Sequence, residues 1–162
     1  MYKIRRAEAK DAEQVRLMSI ALEEAMFDLF KKKKQTVFAN KPVIASKHSV
    51  KDHAEWFGGM VGKPDEVLTH MWYVLEVDGK VVGYINGQPE KGNVGHLDSL
   101  YILKQYRGKG YAVAMVKKMK KWFQLKKVKF IDISVDGPNK PAQKLYEKLG
   151  FVKTTYTYGL KI

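Results

Sequence analysis

With 162 residues, 45% of them apolar, the chain is long enough to bury one core and too apolar for a disordered tail. Thirty Lys and Arg against seventeen Asp and Glu leave a net +13, a field that attracts phosphates, nucleic acid, acidic proteins or anionic lipid, unless it is simply a solvated lysine surface. The absence of cysteine excludes disulfides, thiolate metal sites and a cysteine nucleophile, and no apolar run approaches the ~18 residues of a membrane span.

The polar opening MYKIRRAEAKD lacks the pattern of a signal peptide, so a cytoplasmic address is expected. His48, His53, His70 and His96 show no close ligand spacing, and no metal site is expected.

Residues 2–6 alternate weakly and predict a short strand. Asp11 suits the cap of a following helix, in which Val15, Met18, Leu22, Ala25, Met26 and Leu29 recur at helical spacing. The lysine run from Lys31 to Lys34 closes that helix, where cations complement the dipole. Residues 35–50 read as loop and residues 50–62 as a second helix. Two strands follow, MWYVLEV and KVVGYING, joined by Asp78-Gly79, a strong hairpin signal. HLDSLYIL makes a third, antiparallel by the same logic.

After QYRGKG, the residues Ala112, Met115, Val116, Met119, Trp122 and Phe123 lie on one helical face, with Lys117, Lys118, Lys120 and Lys121 mostly off it. FIDISV is then a strand and Asn139 to Leu149 a short helix. Gly150 suits a left-handed helix end, with Phe151 as the apolar contact beyond it. VKTTYTYGL reads as a last strand. The order predicts one α/β domain over residues 1–162, a mixed and mostly antiparallel sheet flanked by helices.

The stretch QYRGKG leads from a strand into a helix. A helix N-terminus offers unpaired N–H groups and partial positive charge, and Gly108 and Gly110 keep side chains out of the way of a phosphate. Arg107 and Lys109 add attraction at longer range. A plain glycine-rich turn and a nucleic-acid contact are the alternatives. The P-loop pattern is absent, and a dinucleotide fingerprint fails at Val113. Downstream, NKPAQKLYEKLGF places Ala142, Leu145, Tyr146 and Leu149 on one helical face, which by itself reads as a core aromatic near a rim.

Together the two stretches resemble the GCN5-related N-acetyltransferase (GNAT) superfamily. Its pattern [QR]xxGx[GA] is matched by Gln105, Gly108 and Gly110. Its second pattern, an Asn and then Ala-x-x-x-Tyr-x-x-x-Gly-Phe, is matched by Asn139, Ala142, Tyr146, Gly150 and Phe151. The opening YKIRRAEAKDAEQV looks like the family's first strand and helix, and the order of elements agrees over nearly the whole chain.

The resemblance implies acetyl-CoA as co-substrate and an amine as acceptor. The pyrophosphate would lie on backbone amides from Gln105 through Tyr106, Arg107, Gly108 and Lys109 to Gly110, with Tyr111 and Ala112 in the first helical turn. Leu100, Tyr101 and Ile102 would pair with the pantetheine arm, FIDISV would splay away to open a cleft, and Asn139 would touch CoA. Tyr146 matches the tyrosine that serves the departing sulfur.

For the base the family often carries a glutamate that this sequence lacks. Asp98 stands first here and His96 second, with no dedicated base, as in some relatives, the third alternative. In a regular strand His96, Asp98, Leu100 and Ile102 share one face. Many relatives dimerise, and an exposed last strand would serve that. Two rival functions are a basic nucleic-acid-binding module and a silent acetyl-CoA sensor of the same fold. The former ranks lower because Trp122 and Phe123 read as core.

Overall fold

The computed structural model describes residues 1–32, 57–63 and 69–155. Five strands form one sheet in the spatial order β1 (Tyr2–Arg6), β2 (Met71–Val77), β3 (Lys80–Glu90), β4 (Val94–Ile102) and β5 (Phe130–Ile133). The first four pair antiparallel, and β5 joins β4 in parallel. The helices are α1 (Ala12–Lys32), α2 (Tyr111–Leu125) and α3 (Lys140–Lys148).

The β2–β3 turn has φ of 47° at Asp78 and 79° at Gly79, the two positive angles that let a two-residue hairpin follow strand twist. Beyond β4 the chain must return before a parallel partner can form, and α2 is that crossover.

Each face of the sheet is covered. On one side Leu75, Val82, Ile85 and Leu97 meet Met115, Met119 and Phe123 of α2, with Ala142, Leu145 and Tyr146 of α3 beside them. On the other side Val74, Trp72 and Tyr84 meet Val15 and Met18 of α1 and Phe57 and Val61 of a helical segment at 57–61. Phe123 lies close against the sheet because Gly95 is beneath it: a Cβ there would stand 2.7 Å from two ring atoms. No helix among the described residues is long and apolar enough to cross a membrane.

Two expectations change, at Asp11 and at the last strand, and two others lie partly or wholly outside the described residues. Asp11 does not cap α1. It sits in a 3-10 turn at Ala9–Asp11, forms a capping box with Glu8, and receives both terminal nitrogens of Arg5 at 2.7 and 2.8 Å. The ion pair and the Glu8 amide compete for the carboxylate that a cap would need. The expected helix at 50–62 is described only from residue 57, and the loop at 35–50 lies outside the described residues. Residues 152–155 of the expected last strand carry no strand, and the remainder of it lies outside the described residues.

Burial, the largest single influence, would raise the Asp11 carboxyl pKa, but the Arg5 hydrogen bonds, the Glu8 amide and the charges of Arg5 and Lys10 together outweigh it and hold the group below the usual range. The stability this supplies is present above the unfolded Asp pKa and is lost as pH falls through the folded value. Asp11 is 4% exposed. Arg5→Ala therefore strands a buried carboxylate and is expected to cost about 3 kcal/mol, read from the urea midpoint at neutral pH. A variant within about 0.5 kcal/mol of wild type would show the pair to be surface-like.

Candidate active site

The cleft begins with a bulge. β3 and β4 are in register at Asn86 and Ser99, yet the next pair is Gly87 with Leu97. Asp98 is the extra residue, and such a bulge bends a strand and sharpens its twist. β5 pairs with β4 only from Val94 to Leu97. From Asp98 to Ile102 the outer edge of β4 has no strand beside it among the described residues. Where the resemblance predicts FIDISV splaying away as a strand through Val135, β5 is paired along its whole length and ends at Ile133.

The bulge also resets which residues share a face. Leu97, Leu100 and Ile102 all pack toward α2 and α3. His96 and Asp98 therefore do not share a face with Leu100 and Ile102 as regular alternation predicts. They point to the opposite side, where Asp98 Oδ2 accepts from Asn86 Nδ2 at 3.1 Å. His96 lies between two carboxylates, with Nδ1 2.5 Å from Asp132 Oδ1 and Nε2 3.9 Å from Asp98 Oδ1. Burial raises the Asp98 carboxyl pKa, and nearby His96 offsets part of that rise.

Asn86 and Asp132 were not singled out from the sequence. Each is a polar residue inside an apolar strand run, a signal that could have found them.

The free edge runs straight into the glycine turn. Gln105 and Tyr106 belong to a 3-10 turn, Lys104–Tyr106. Gly108 and Gly110 have φ of 78° and 79°, the left-handed region, and a Cβ at either would meet nothing within 4 Å. These glycines are required by the backbone, and the space in front of them is open. Gly110 is the N-cap of α2 and supplies no side-chain cap. The first amides of the helix, from Tyr111 and Ala112 onward, thus keep the donor capacity of an uncapped helix start. No acidic residue lies in that turn.

Arg107 is committed to the protein. Its Nε donates to the Ile102 carbonyl at 2.7 Å and its guanidinium lies 5.2 Å from the centre of the Tyr101 ring. Lys109 lies over Tyr106 at 5.8 Å. The first therefore braces the turn, while both leave their charge beside it.

Tyr146 arrives from the α2–α3 side. It is 6% exposed, packs edge-on against Phe151 at 5.4 Å, and burial holds its phenol well above the ordinary pKa. Its hydroxyl makes no hydrogen bond with a described residue, so a protonated donor is uncommitted. Gly150 at φ 88° and the Phe151 amide on the Tyr146 carbonyl, 3.0 Å, close the helix as expected.

Asn139 caps α3: its Oδ1 accepts from the Ala142 amide at 3.3 Å, and its Nδ2 faces Met26 Sδ of α1 at 3.5 Å. Its amide oxygen is thus occupied by the helix. The phenol and the Asp98–His96 pair approach the free β4 edge from opposite faces of the sheet. Such a site can hold a chain along the edge, an anion at the turn, and a proton donor opposite a proton acceptor.

This sequence matches the model of the acetyltransferase (GNAT) family over residues 23–151. The chain belongs to that family, and its fold is the family's.

Among curated proteins it is 37% identical over 81 residues to an uncharacterised N-acetyltransferase of Methanocaldococcus jannaschii, covering 49% of this chain and 51% of that one. It is 37% identical over 95 residues to an N-alpha-acetyltransferase of Sulfurisphaera tokodaii, covering 49% and 55%. The chain spans about half the length of the curated relatives it matches.

Among solved structures it resembles PaiA N-acetyltransferase from Thermoplasma acidophilum in complex with coenzyme A, with a TM-score of 0.72, 18% identity, and coverage of 98% and 94%. It also resembles the aminoglycoside acetyltransferase AAC(6')-Iy with a CoA bisubstrate analogue, with a TM-score of 0.69, 14% identity, and coverage of 100% and 98%.

Proposed function

We propose that the protein transfers an acetyl group from acetyl-CoA to a primary amine, by direct attack within a ternary complex. The observation that carries this is the free edge of β4, from Asp98 to Ile102, leading into an uncapped helix start behind Gly108 and Gly110. The pantetheine arm pairs with Leu100, Tyr101 and Ile102 along that edge. The pyrophosphate takes the amides of the turn and first helical turn, where partial positive charge and open space coincide. Asn139 contributes through its Nδ2, since its oxygen is the cap.

The amine attacks the thioester carbon, forming the C–N bond. The oxyanion is held by a strand amide of the Leu100–Ile102 segment. The C–S bond then breaks, and Tyr146 donates its proton to the thiolate. Asp98, directly or through a water, accepts the proton of the amine, with His96 beside it.

The first acceptor class to test is an α-amine. Freeing a lysine-like amine at pH 7 costs roughly 4–5 kcal/mol, whereas an α-amine costs only about 1 kcal/mol. A site with a single half-buried aspartate and a histidine suits the smaller demand. The N-alpha-acetyltransferases of Sulfurisphaera tokodaii and Saccharolobus solfataricus among the relatives point the same way.

Thiol release from acetyl-CoA is therefore expected with peptides carrying a free N-terminus, and not with N-blocked peptides carrying only lysine. Release with the blocked peptides alone would overturn the acceptor class. Calorimetry showing no acetyl-CoA binding would overturn the reaction.

Asp98→Asn is expected to lower kcat/KM about tenfold at pH 7, less than the ~10² of a strong general base because part of an α-amine is already neutral. The raised Asp98 pKa puts the rising limb of the wild-type pH profile above the ordinary Asp range. The same rise makes its charge a stability cost that grows as pH passes the folded value, so the Asn variant unfolds no earlier at pH 7. An unchanged pH profile would remove Asp98 from the role.

A further inference from the structure

The charge of this protein is concentrated in one stretch. Between Ser99 and Ile131 there are ten Lys and Arg and no Asp or Glu, so these residues account for +10 of the net +13. Four of the cations, Lys117, Lys118, Lys120 and Lys121, lie on the solvent side of α2, whose opposite side is buried through Met115, Val116, Met119, Trp122 and Phe123. Lys117, Lys120 and Lys121 form no ion pair with a described residue, while Lys118 lies over the Tyr73 ring at 5.6 Å.

The series continues past the helix through Lys126, Lys127 and Lys129 to Phe130, which is 69% exposed at the start of the edge strand. Leu125, the last residue of α2, is 82% exposed. Arg107 and Lys109, at the other end of α2, stand at the glycine turn and are not part of this face. Neighbouring α3 adds Lys140, Lys144 and Lys148 against Glu147.

We propose that this face binds the phosphodiester backbone of a single-stranded nucleic acid, at a surface separate from the acetyl-CoA cleft. A helix of about fifteen residues is about 22 Å long, and lysines at i, i+3 and i+4 advance about 4.5–6 Å each, which offers a row of point charges to a chain of regularly spaced anions. Phe130 lies among Lys127 and Lys129 with its ring exposed, the arrangement on which a base stacks.

An anionic bilayer fits less well. The apolar side of α2 is already buried against the sheet, so the helix keeps no apolar face to enter lipid. Sequence alone ranked a nucleic-acid partner low because Trp122 and Phe123 read as core. They are core, and the exposed aromatic is Phe130 instead.

The test uses fluorescence anisotropy with labelled oligouridylate and oligothymidylate of about 20 nucleotides, beginning at about 50 mM salt. Polyglutamate and vesicles containing phosphatidylserine serve as comparisons. Both oligonucleotides are expected to bind, with log affinity falling linearly in log salt, and the tighter of the two identifies RNA or DNA as the source of the backbone. The triple variant Lys117→Glu, Lys120→Glu, Lys121→Glu is expected to bind at least about tenfold more weakly, with a salt slope shallower by about 2, at ~0.7 per phosphate on a single strand. Its acetyl-CoA affinity stays at the wild-type value, which shows that it is folded and that the two sites are distinct.

Phe130→Ala weakens binding while leaving the salt slope unchanged. Wild-type affinity in a folded triple variant overturns the proposal. So does polyglutamate binding as tightly as the oligonucleotides, which would make the partner an acidic polypeptide, or capture by the vesicles alone. If the triple variant loses acetyl-CoA binding as well, Lys121→Glu decides by its salt slope, and an unchanged slope counts against the surface.

Discussion

Gly108→Glu is expected to raise the acetyl-CoA dissociation constant at least about a hundredfold, a loss of about 2.7 kcal/mol or more. Two effects act in the same direction. Under the proposed cradle, a carboxylate at this position would repel the pyrophosphate at the positive end of α2, where the helix start otherwise favours an anion. The side chain also occupies the space that the phosphates need, since a Cβ at Gly108 meets no protein atom within 4 Å and points outward.

Gly108→Ala separates these effects from backbone strain. It keeps the left-handed φ of 78° at a cost of about 1–2 kcal/mol in a non-glycine residue, without the charge. The alanine variant should therefore lose thermal stability and bind acetyl-CoA only modestly more weakly. The glutamate variant should lose similar stability and nearly all binding. Calorimetric titration of both against wild type checks this. Unchanged affinity in Gly108→Glu would mean that the glycines serve only the turn, and the cradle would have to be sought elsewhere.

Tyr146→Phe removes one oxygen and keeps the packing against Phe151 and the core beneath α3. Under the proposed mechanism it lowers kcat about a hundredfold, the lower range of general-acid effects, while the acetyl-CoA dissociation constant stays within about twofold. Removing a hydroxyl that has no hydrogen-bond partner among the described residues leaves no stranded group behind, so stability is expected to hold.

A leaving group of lower pKa than CoA would need less help from the phenol. The defect of Tyr146→Phe should shrink with such a donor, a response that a purely structural role would not give. Wild-type turnover in the variant would remove Tyr146 from the proton transfer.

Much of the architecture was legible before any coordinates. Asp78-Gly79 demanded two positive φ angles between apolar runs and so announced its hairpin. The buried stripe from Met115 to Phe123 has a period that only a helix satisfies. Gly108 and Gly110 were legible for the same kind of reason, since both lie in a conformation that side chains avoid.

Asp11 was harder to read. Its suitability as a cap is local, whereas its pairing with Arg5 depends on where β1 brings that guanidinium. The extra residue at Asp98 is another case. A bulge is a property of two strands in register, and nothing in HLDSLYIL alone says which residue β3 will leave unpaired.

The sequence by itself determined the family, the glycine turn and its helix, and the place of Tyr146 on the buried face of the last helix. Each of these rests on backbone preference or on spacing along one chain segment. The tertiary structure alone decided which face carries His96 and Asp98, that Asn86 and Asp132 join them, and that Arg107 turns back onto Ile102. Those outcomes depend on strand register and on side chains that meet across β3, β4 and β5, where a one-residue shift reverses every direction that alternation would assign.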